Sequence, residues 1–396
     1  MLLTLNSPEA ESYRRQIRDW LNKSVPEPWL NRSQEMLSSD EELDLKRNWG
    51  YSLYEAGYAG LTWPTVFGGQ GLGPIEEFIF YEESAKAGAP ESLDTLGKYL
   101  AGPAIMQYGT DGQKVRFLPP ILAGREIWCE GYSEPDGGSD LASASTTALR
   151  GRDEDDYLVN GRKIWTSWGH IADRCYLLAK TSRELPHHHN LSVFLFNMRQ
   201  PNVEVRRIRQ ITGDATFNEV TFENALATRD ELLGVENGGW SLVGLTGPYR
   251  RIRFALNGLR QYGQLYALIE QLSNCTRESH LESIANSFQD RLETFRWHLM
   301  RLVELQANDR EWYGPAAILR LTFSELAQEV TEVGLTAQCT EHDDYWRDRF
   351  LHCRSETIAG GTSEIQRNVI ATSVLKMPRF GQVVRSPTLD SKSSGE

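Results

Sequence analysis

Three short stretches of the chain carry residue types and spacings on which chemistry could be built. The first is WCEGYSEPDGGSDLAS, residues 128–143. Pro135, Asp136, Gly137 and Gly138 in succession force a tight turn, and Ser133 and Ser139 bracket it with hydroxyls. Backbone N–H groups turned outward by such a loop can take a pyrophosphate or the polar edge of a ring. The same residues also make an ordinary glycine-rich β-turn. The second stretch is GRKIWTSWGHIAD, residues 161–173, which sets Trp165, Thr166, Ser167 and Trp168 together at a strand end. An indole beside hydroxyl donors suits a flat heteroaromatic ring, stacked on one face and hydrogen-bonded at its rim. Taken alone, Trp165 reads as an aromatic core residue. The third is ETIAGGTSEIQRNVIATSVLKMPR, residues 356–379. Gly360 and Gly361 bend the backbone, and Thr362 can then N-cap a helix running through Ile365 and Ile370. A helix N-terminus flanked by hydroxyls suits an electron-rich ligand, and a capped helix after a turn also needs none.

Other candidates carry less. GGQGLG at 68–73 does not complete the GxGxxG fingerprint, and no βαβ unit surrounds it, so it reads as a tight loop between helices. His187, His188 and His189 are consecutive; neighbours in an extended segment point in opposite directions and rarely converge on one metal. No GxSxG elbow or HExxH helix is present. The five cysteines, Cys129, Cys175, Cys275, Cys339 and Cys353, are scattered, which speaks against a zinc site or disulfide framework.

These stretches need elements to hold them. At the N-terminus Tyr13, Ile17, Trp20 and Leu21 recur at helical spacing before Pro26 and Pro28. A second helical run starts at Asp40, GLTWPTVFGGQGLGP (60–74) is a loop, and a further helix carries Phe78, Ile79 and Tyr81. After about residue 126 come short β-branched and aromatic runs, among them YLVNGRKIWTS, NLSVFLFNM and NEVTFENALA, separated by turn residues. That pattern predicts an antiparallel β domain. From about Gly238 the helical period returns, in Leu259, Tyr262, Tyr266 and Ile269, and in Leu292, Phe295, Leu299 and Leu302. Amphipathic helices of this length form bundles. The expected division is a helical domain over 1–125, a β domain over 126–235, a helical bundle over 236–385 and a polar, disordered tail over 386–396.

The 396 residues are 40% hydrophobic and 24% charged, with 42 Lys+Arg against 54 Asp+Glu for a net charge of −12. No basic block stands out, so nucleic acid is excluded as an expected partner. No 18-residue apolar run and no signal-peptide pattern are present, so the expected setting is the cytosol, away from membranes.

Together, in this order and this helical–β–helical context, the three stretches resemble the acyl-CoA dehydrogenase family. YGTDGQKVRFLPPILAGREIW (108–128) and Gly239–Trp240 add to the match, which runs from about Gly57 to Arg379. The resemblance implies an N-terminal helical domain, a middle antiparallel β domain and a C-terminal four-helix bundle, with FAD between the last two and a dimeric or tetrameric assembly. It implies that Ser133 bonds the flavin pyrimidine edge and that Ser139, beside Gly138, reaches the pyrophosphate. Trp165 would lie against the isoalloxazine and Ser167 near N5 and O4. Thr362 and Glu364 match cofactor-touching positions, and Glu130, Gly131 and Tyr132 offer backbone contacts. The implied reaction is α,β-dehydrogenation of an acyl-CoA thioester, as in fatty acid or steroid side-chain degradation.

The chain departs from that family in two places. The usual base is a Glu two residues before the Thr of the last motif, here Gly360, or a Glu on the first bundle helix, here Arg250 followed by Arg251. Glycine has no side chain and arginine stays protonated, so the catalytic base is left unassigned, with Glu341, Asp343 and Asp344 as acids nearby in sequence. The elements that hold a neighbour's ADP half are replaced by NSFQDR (286–291) and AQCTEHDDYWRD (337–348). The resemblance then implies a flavoprotein that works in a homo- or hetero-oligomer with a related, unequal subunit, as in α2β2 relatives acting on bulky acyl-CoAs. A flavin-retaining lyase of desulfinase type and a non-catalytic structural subunit are the alternatives.

Overall fold

A computed structural model describes residues 7–30, 39–151, 156–244, 279–308, 310–336 and 343–378, with helical residues between 258 and 273. Helix α1 (Pro8–Ser24) begins where the Ser7 hydroxyl accepts the Ala10 N–H at 3.2 Å, and it buries Ile17 and Leu21 at the expected spacing. Helices α2 (Ser39–Glu55), α3 (Pro74–Lys86), α4 (Gly102–Tyr108) and α5 (Asp111–Leu122) complete the N-terminal domain. The 60–74 loop contains one short turn of 3₁₀ helix over Thr65–Phe67. Thr110 and Gln113 cap α5 reciprocally, and the Gln113 amide also donates to the Asp230 and Leu232 carbonyls at 2.7 and 2.9 Å. The capping residue thus docks the helical domain on the sheet.

The middle domain is one sheet of eight strands: β1 (Trp128–Gly131), β2 (Thr147–Arg150), β3 (Asp156–Ser167), β4 (Arg174–Lys180), β5 (Leu191–Asn197), β6 (Val203–Ile208), β7 (Phe217–Thr228) and β8 (Leu232–Leu233). Their order is β6-β7-β3-β2-β4-β5-β8, with β1 beside β4. Pairing is antiparallel as expected, except that β1 and one residue of β2 run parallel to β4. In the C-terminal bundle the long helices are α6 (Ser279–Ala307) and α7 (Tyr313–Thr336), followed by α8 (Asp343–Cys353) and α9 (Ser363–Val369). The predicted stripe of Leu292, Phe295, Leu299 and Leu302 is buried. The 386–396 tail lies outside the described residues. No helix among them is long and apolar enough to cross a membrane.

Helix α3 is buried on nearly every side and therefore carries buried acids. Glu82 accepts from Arg14 of α1 and, at 3.0 Å, from Arg296 of α6, joining the first and last domains. Glu83 accepts from Arg14 at 2.9 Å and Arg18 at 3.0 Å. Among the described residues Glu77 pairs with no cation. It receives the Tyr99 hydroxyl at 3.0 Å and the Thr62 hydroxyl at 3.5 Å, and burial pushes its carboxyl up to about 7 despite those two donors. A carboxyl raised in the fold keeps its proton where the unfolded chain has lost it. Stability contributed by the neutral form is therefore present at low pH and lost as pH rises from about 4.5 to about 7. Glu77→Gln is expected to remove this slope. In urea unfolding across that window, the variant should gain on the wild type by up to about 1.4 kcal/mol per pH unit; parallel curves would refute the assignment.

Candidate functional site

The alternation along β3 puts Tyr157, Val159 and Lys163 on the buried face. Lys163 is a cation with 0% of its side chain exposed. Its ammonium donates to Glu134 Oε1 at 2.8 Å and to the Tyr132 carbonyl at 3.1 Å. The Glu134 carboxylate, itself only 6% exposed, also accepts the Ser145 N–H at 2.6 Å, the Ser145 hydroxyl at 2.5 Å and the Thr146 N–H at 2.9 Å. Burial acts to raise Glu134, but the Lys163 charge and the Ser145 donors outweigh it and hold the carboxyl at about 2. Burial pulls Lys163 below the usual lysine range, against the opposing pull of Glu134.

This pair sits under the first two sequence stretches. Glu134 and Gly137 exchange backbone hydrogen bonds at 2.8 and 3.0 Å, closing the expected turn over Pro135 and Asp136. The loop then continues through Gly138 and Ser139, both exposed. Gly138 lies beside the Ser133 hydroxyl, 3.8 Å from where a Cβ would stand. Register between β3 and β7 breaks between Lys163 and Thr166, and at that bulge the Ile164 N–H turns to the Ser133 carbonyl at 2.9 Å. Bulges of this kind re-aim side chains. Trp165 adopts φ 61°, in the left-handed region, and leaves its indole 56% exposed, edge-on to Phe217 at 6.2 Å. Its exposure corrects the reading of Trp165 as a core residue. Thr166 beside it is buried, and its hydroxyl has no hydrogen-bond partner among the described residues; Ser167 is half-buried at the strand end. The structure therefore brings Gly138 beside the Ser133 hydroxyl and joins the Ser133 segment to the strand end that carries Trp165 and Ser167. Glu130 is half-buried on β1 opposite Tyr176, and Tyr132 is buried with its ring 6.1 Å from that of Tyr176. An exposed indole and an exposed Gly138–Ser139 loop leave room for a flat heteroaromatic group with an anionic arm.

The third stretch stands on the bundle. The Thr362 hydroxyl caps α9, accepting the Ile365 N–H at 3.3 Å. Glu364 is exposed in the first turn, held below the usual carboxylate range by its own backbone N–H and the Thr362 hydroxyl. Gly360 and Gly361 have φ 68° and 103°, both left-handed. Four residues before Gly360, Glu356 is largely covered, and burial pushes its carboxyl up to about 7 against the opposing charges of Arg320 and Arg349. Arg250, Arg251 and Glu341 lie outside the described residues, and Asp343 and Asp344 open α8. In the NSFQDR segment, Arg291 is paired in two-pronged fashion with Glu329 of α7, at 2.5 and 2.9 Å. Of the three consecutive histidines, two face different neighbours: His187 Nδ1 meets the Ala142 carbonyl at 3.0 Å, and His188 lies edge-on to Trp240 at 4.4 Å. Sequence reasoning missed Glu134, Lys163 and Glu356. For Lys163 the signal was present, a lysine in phase with Tyr157 and Val159 on an alternating strand.

Comparison with known proteins fits this arrangement. Three family models match: "Acyl-CoA dehydrogenase, N-terminal domain" over residues 7–125, the middle domain over 129–225 and the C-terminal domain over 282–375. The acyl-CoA dehydrogenase IpdE1 of Mycobacterium tuberculosis is 36% identical over 389 residues, covering 94% of this chain and 98% of that protein. A variant of the Tcur3481–Tcur3483 steroid ACAD superimposes with a TM-score of 0.80 at 25% identity, covering 94% of this chain and 100% of that one. A chain of the ChsE4–ChsE5 complex from Mycobacterium tuberculosis does so with a TM-score of 0.77 at 26% identity, covering 94% and 98%.

A left-handed tryptophan costs on the order of 1 kcal/mol in backbone strain, which offsets part of what its half-covered ring gains by burial. Trp165→Gly is therefore expected to lower the stability of the unliganded chain by no more than about 1–2 kcal/mol. Trp128→Ala, by contrast, removes a fully buried ring and should cost about 3–5 kcal/mol. A large loss of stability in Trp165→Gly would mean that Trp165 is held for packing.

Proposed function

The chain belongs to the acyl-CoA dehydrogenase family, and from that premise we propose that it is the FAD-holding subunit of an acyl-CoA-oxidising hetero-oligomer. The observation that supports this reading is an exposed, left-handed Trp165 on the strand end joined to the Ser133 segment, combined with a left-handed glycine where the family places its base. On this reading Ser133 and Ser139 hold the pyrimidine edge and the pyrophosphate, with Gly138 leaving room between them. Trp165 covers one ring face and Ser167 meets the rim. Thr362 and Glu364 approach from α9, and Glu130 and Tyr132 contribute through their backbone. FAD bound there supplies the hydride acceptor for the β-carbon of an acyl thioester.

Removal of the α-proton needs a positioned base. At φ 68° Gly360 has a conformation that a glutamate would occupy only with strain. The loop is thus shaped for its glycine, and a partner's carboxylate would complete the reaction. Arg291 supports the same division of labour, because its guanidinium is already engaged by Glu329 within the chain. Relatives that include a ChsE4–ChsE5 complex and a steroid ACAD support an unequal partner and a bulky acyl group. The substrate itself is an acyl-CoA.

Two outcomes follow. The purified chain should be yellow, and the Trp165→Ala, Ser139→Ala double variant should lose flavin on gel filtration, since stacking alone contributes about 0.5–1.5 kcal/mol beyond burial. Undiminished flavin in that variant would remove Trp165 and Ser139 from the site. Without a partner, the chain should reduce dye with straight-chain acyl-CoAs at least ~10²-fold more slowly than a complete enzyme, the usual contribution of a general base. If the isolated chain turns over normally, a base is present after all, and Glu356→Gln is the first variant to make, since burial holds that carboxyl at about 7.

A further inference from the structure

We propose that the buried Lys163–Glu134 pair is a positioning clamp for the flavin cradle, fixing the loop 133–139 and the Trp165 strand end relative to each other. This rests on the flavin reading above. The geometry is specific to that task. One carboxylate ties the entry of the 134–146 loop to its exit, because Glu134 accepts the backbone N–H groups of both Ser145 and Thr146. One ammonium ties that loop to β3, because Lys163 reaches Glu134 and the Tyr132 carbonyl together. Ser133 is flanked by both anchors: Tyr132 gives its carbonyl to the clamp, and Glu134 is the clamp. Trp165 and Ser167 follow Lys163 by two and four residues, across the bulge at which Ile164 turns to Ser133.

Packing alone does not explain a charged pair in this place. Well-packed apolar side chains often replace a buried ion pair with no loss of stability. An apolar pair cannot hold a carbonyl, two loop N–H groups and a hydroxyl in fixed directions. A binding shelf needs its groups held within about 0.5 Å by residues behind them. Neither Lys163 nor Glu134 is required to touch the flavin.

The test uses the full chain, with its partner where that is needed for solubility, in three forms: wild type, Glu134→Asp, and the neutral double variant Glu134→Gln, Lys163→Met. Unfolding midpoints without flavin, FAD affinity by titration and the visible circular dichroism of bound FAD are measured on each. The double variant is expected to unfold close to the wild type yet bind FAD roughly tenfold or more weakly, with an altered flavin dichroism band. Glu134→Asp keeps the charge and shortens the arm by one carbon, and should show the same loss in milder form; it decides the matter if the double variant fails to fold. Folded variants with wild-type FAD affinity and an unchanged band would overturn the clamp while leaving the flavin reading intact. A wild-type chain that takes up no FAD would overturn the flavin reading and the clamp with it.

Discussion

An ammonium and a carboxylate shut away from water place heavy demands on everything around them. Each ion loses several kcal/mol of hydration on burial, and attraction between the two offsets that only if the remaining donors and acceptors are satisfied. Here Lys163 and Glu134 are satisfied by segments from three parts of the chain. The strand leaving β1 must deliver the Tyr132 carbonyl, the loop must return Ser145 and Thr146 to the carboxylate, and β3 must turn its lysine inward. Thr146 comes so close to β3 that no Cβ could be fitted at Gly161, which takes φ 141°. The bulge that exposes Trp165 follows at once, where β3 pairs with Ser133 in place of β7. Inward charge pairing and the outward turn of Trp165 thus adjoin each other on one strand, as the proposed clamp requires.

The two helical domains are fastened to this sheet and to each other by polar contacts at few points. Gln113 reaches from the start of α5 to two carbonyls next to β8, and Glu82 gathers Arg14 and Arg296 from opposite ends of the chain. The His188 ring against Trp240 joins the sheet to the start of the bundle. Directional bonds of this sort set orientation, whereas the apolar stripes of α6 and α7 supply most of the burial. The motif YGTDGQK thereby has a structural explanation: its Thr–Gln cap is also a domain joint.

Much of this was legible in sequence because it depends on local rules. Helical periodicity marked Ile17 and Leu21, and Leu292 to Leu302; Pro135–Gly138 marked the turn; Thr362 marked the cap. Each is a property of a few adjacent residues. What escaped is non-local. Glu134 stands 29 residues from Lys163, and no spacing rule links them. Trp165 taken alone reads as core, and only its hydroxyl neighbours and the family resemblance turn it toward a ligand; the left-handed backbone at a bulge that exposes it arises from cross-strand register that a single strand does not encode. Glu356 has no local signal for its setting, in which burial against the charges of Arg320 and Arg349 leaves its carboxyl near neutrality.

The separation between what is kept and what is missing also has a physical basis. The shelf is built within one domain, from backbone groups and a buried pair whose loss would strand a charge inside the sheet. Such a unit resists piecemeal change, because removing one partner of a buried pair is strongly destabilising. The base position belongs to a different domain and to an exposed loop, where Gly360 touches little and side-chain loss leaves no cavity. Once a glycine is there, the backbone can settle at φ 68°, and a β-carbon becomes the strained option. On the proposed function, loss of the proton-abstracting residue costs the fold little, whereas loss of the buried pair behind the flavin loop costs it much. A chain freed from supplying the base would be expected to diverge in this direction: shelf intact, loop relaxed onto glycine, and surface arginines such as Arg291 drawn into pairs of its own.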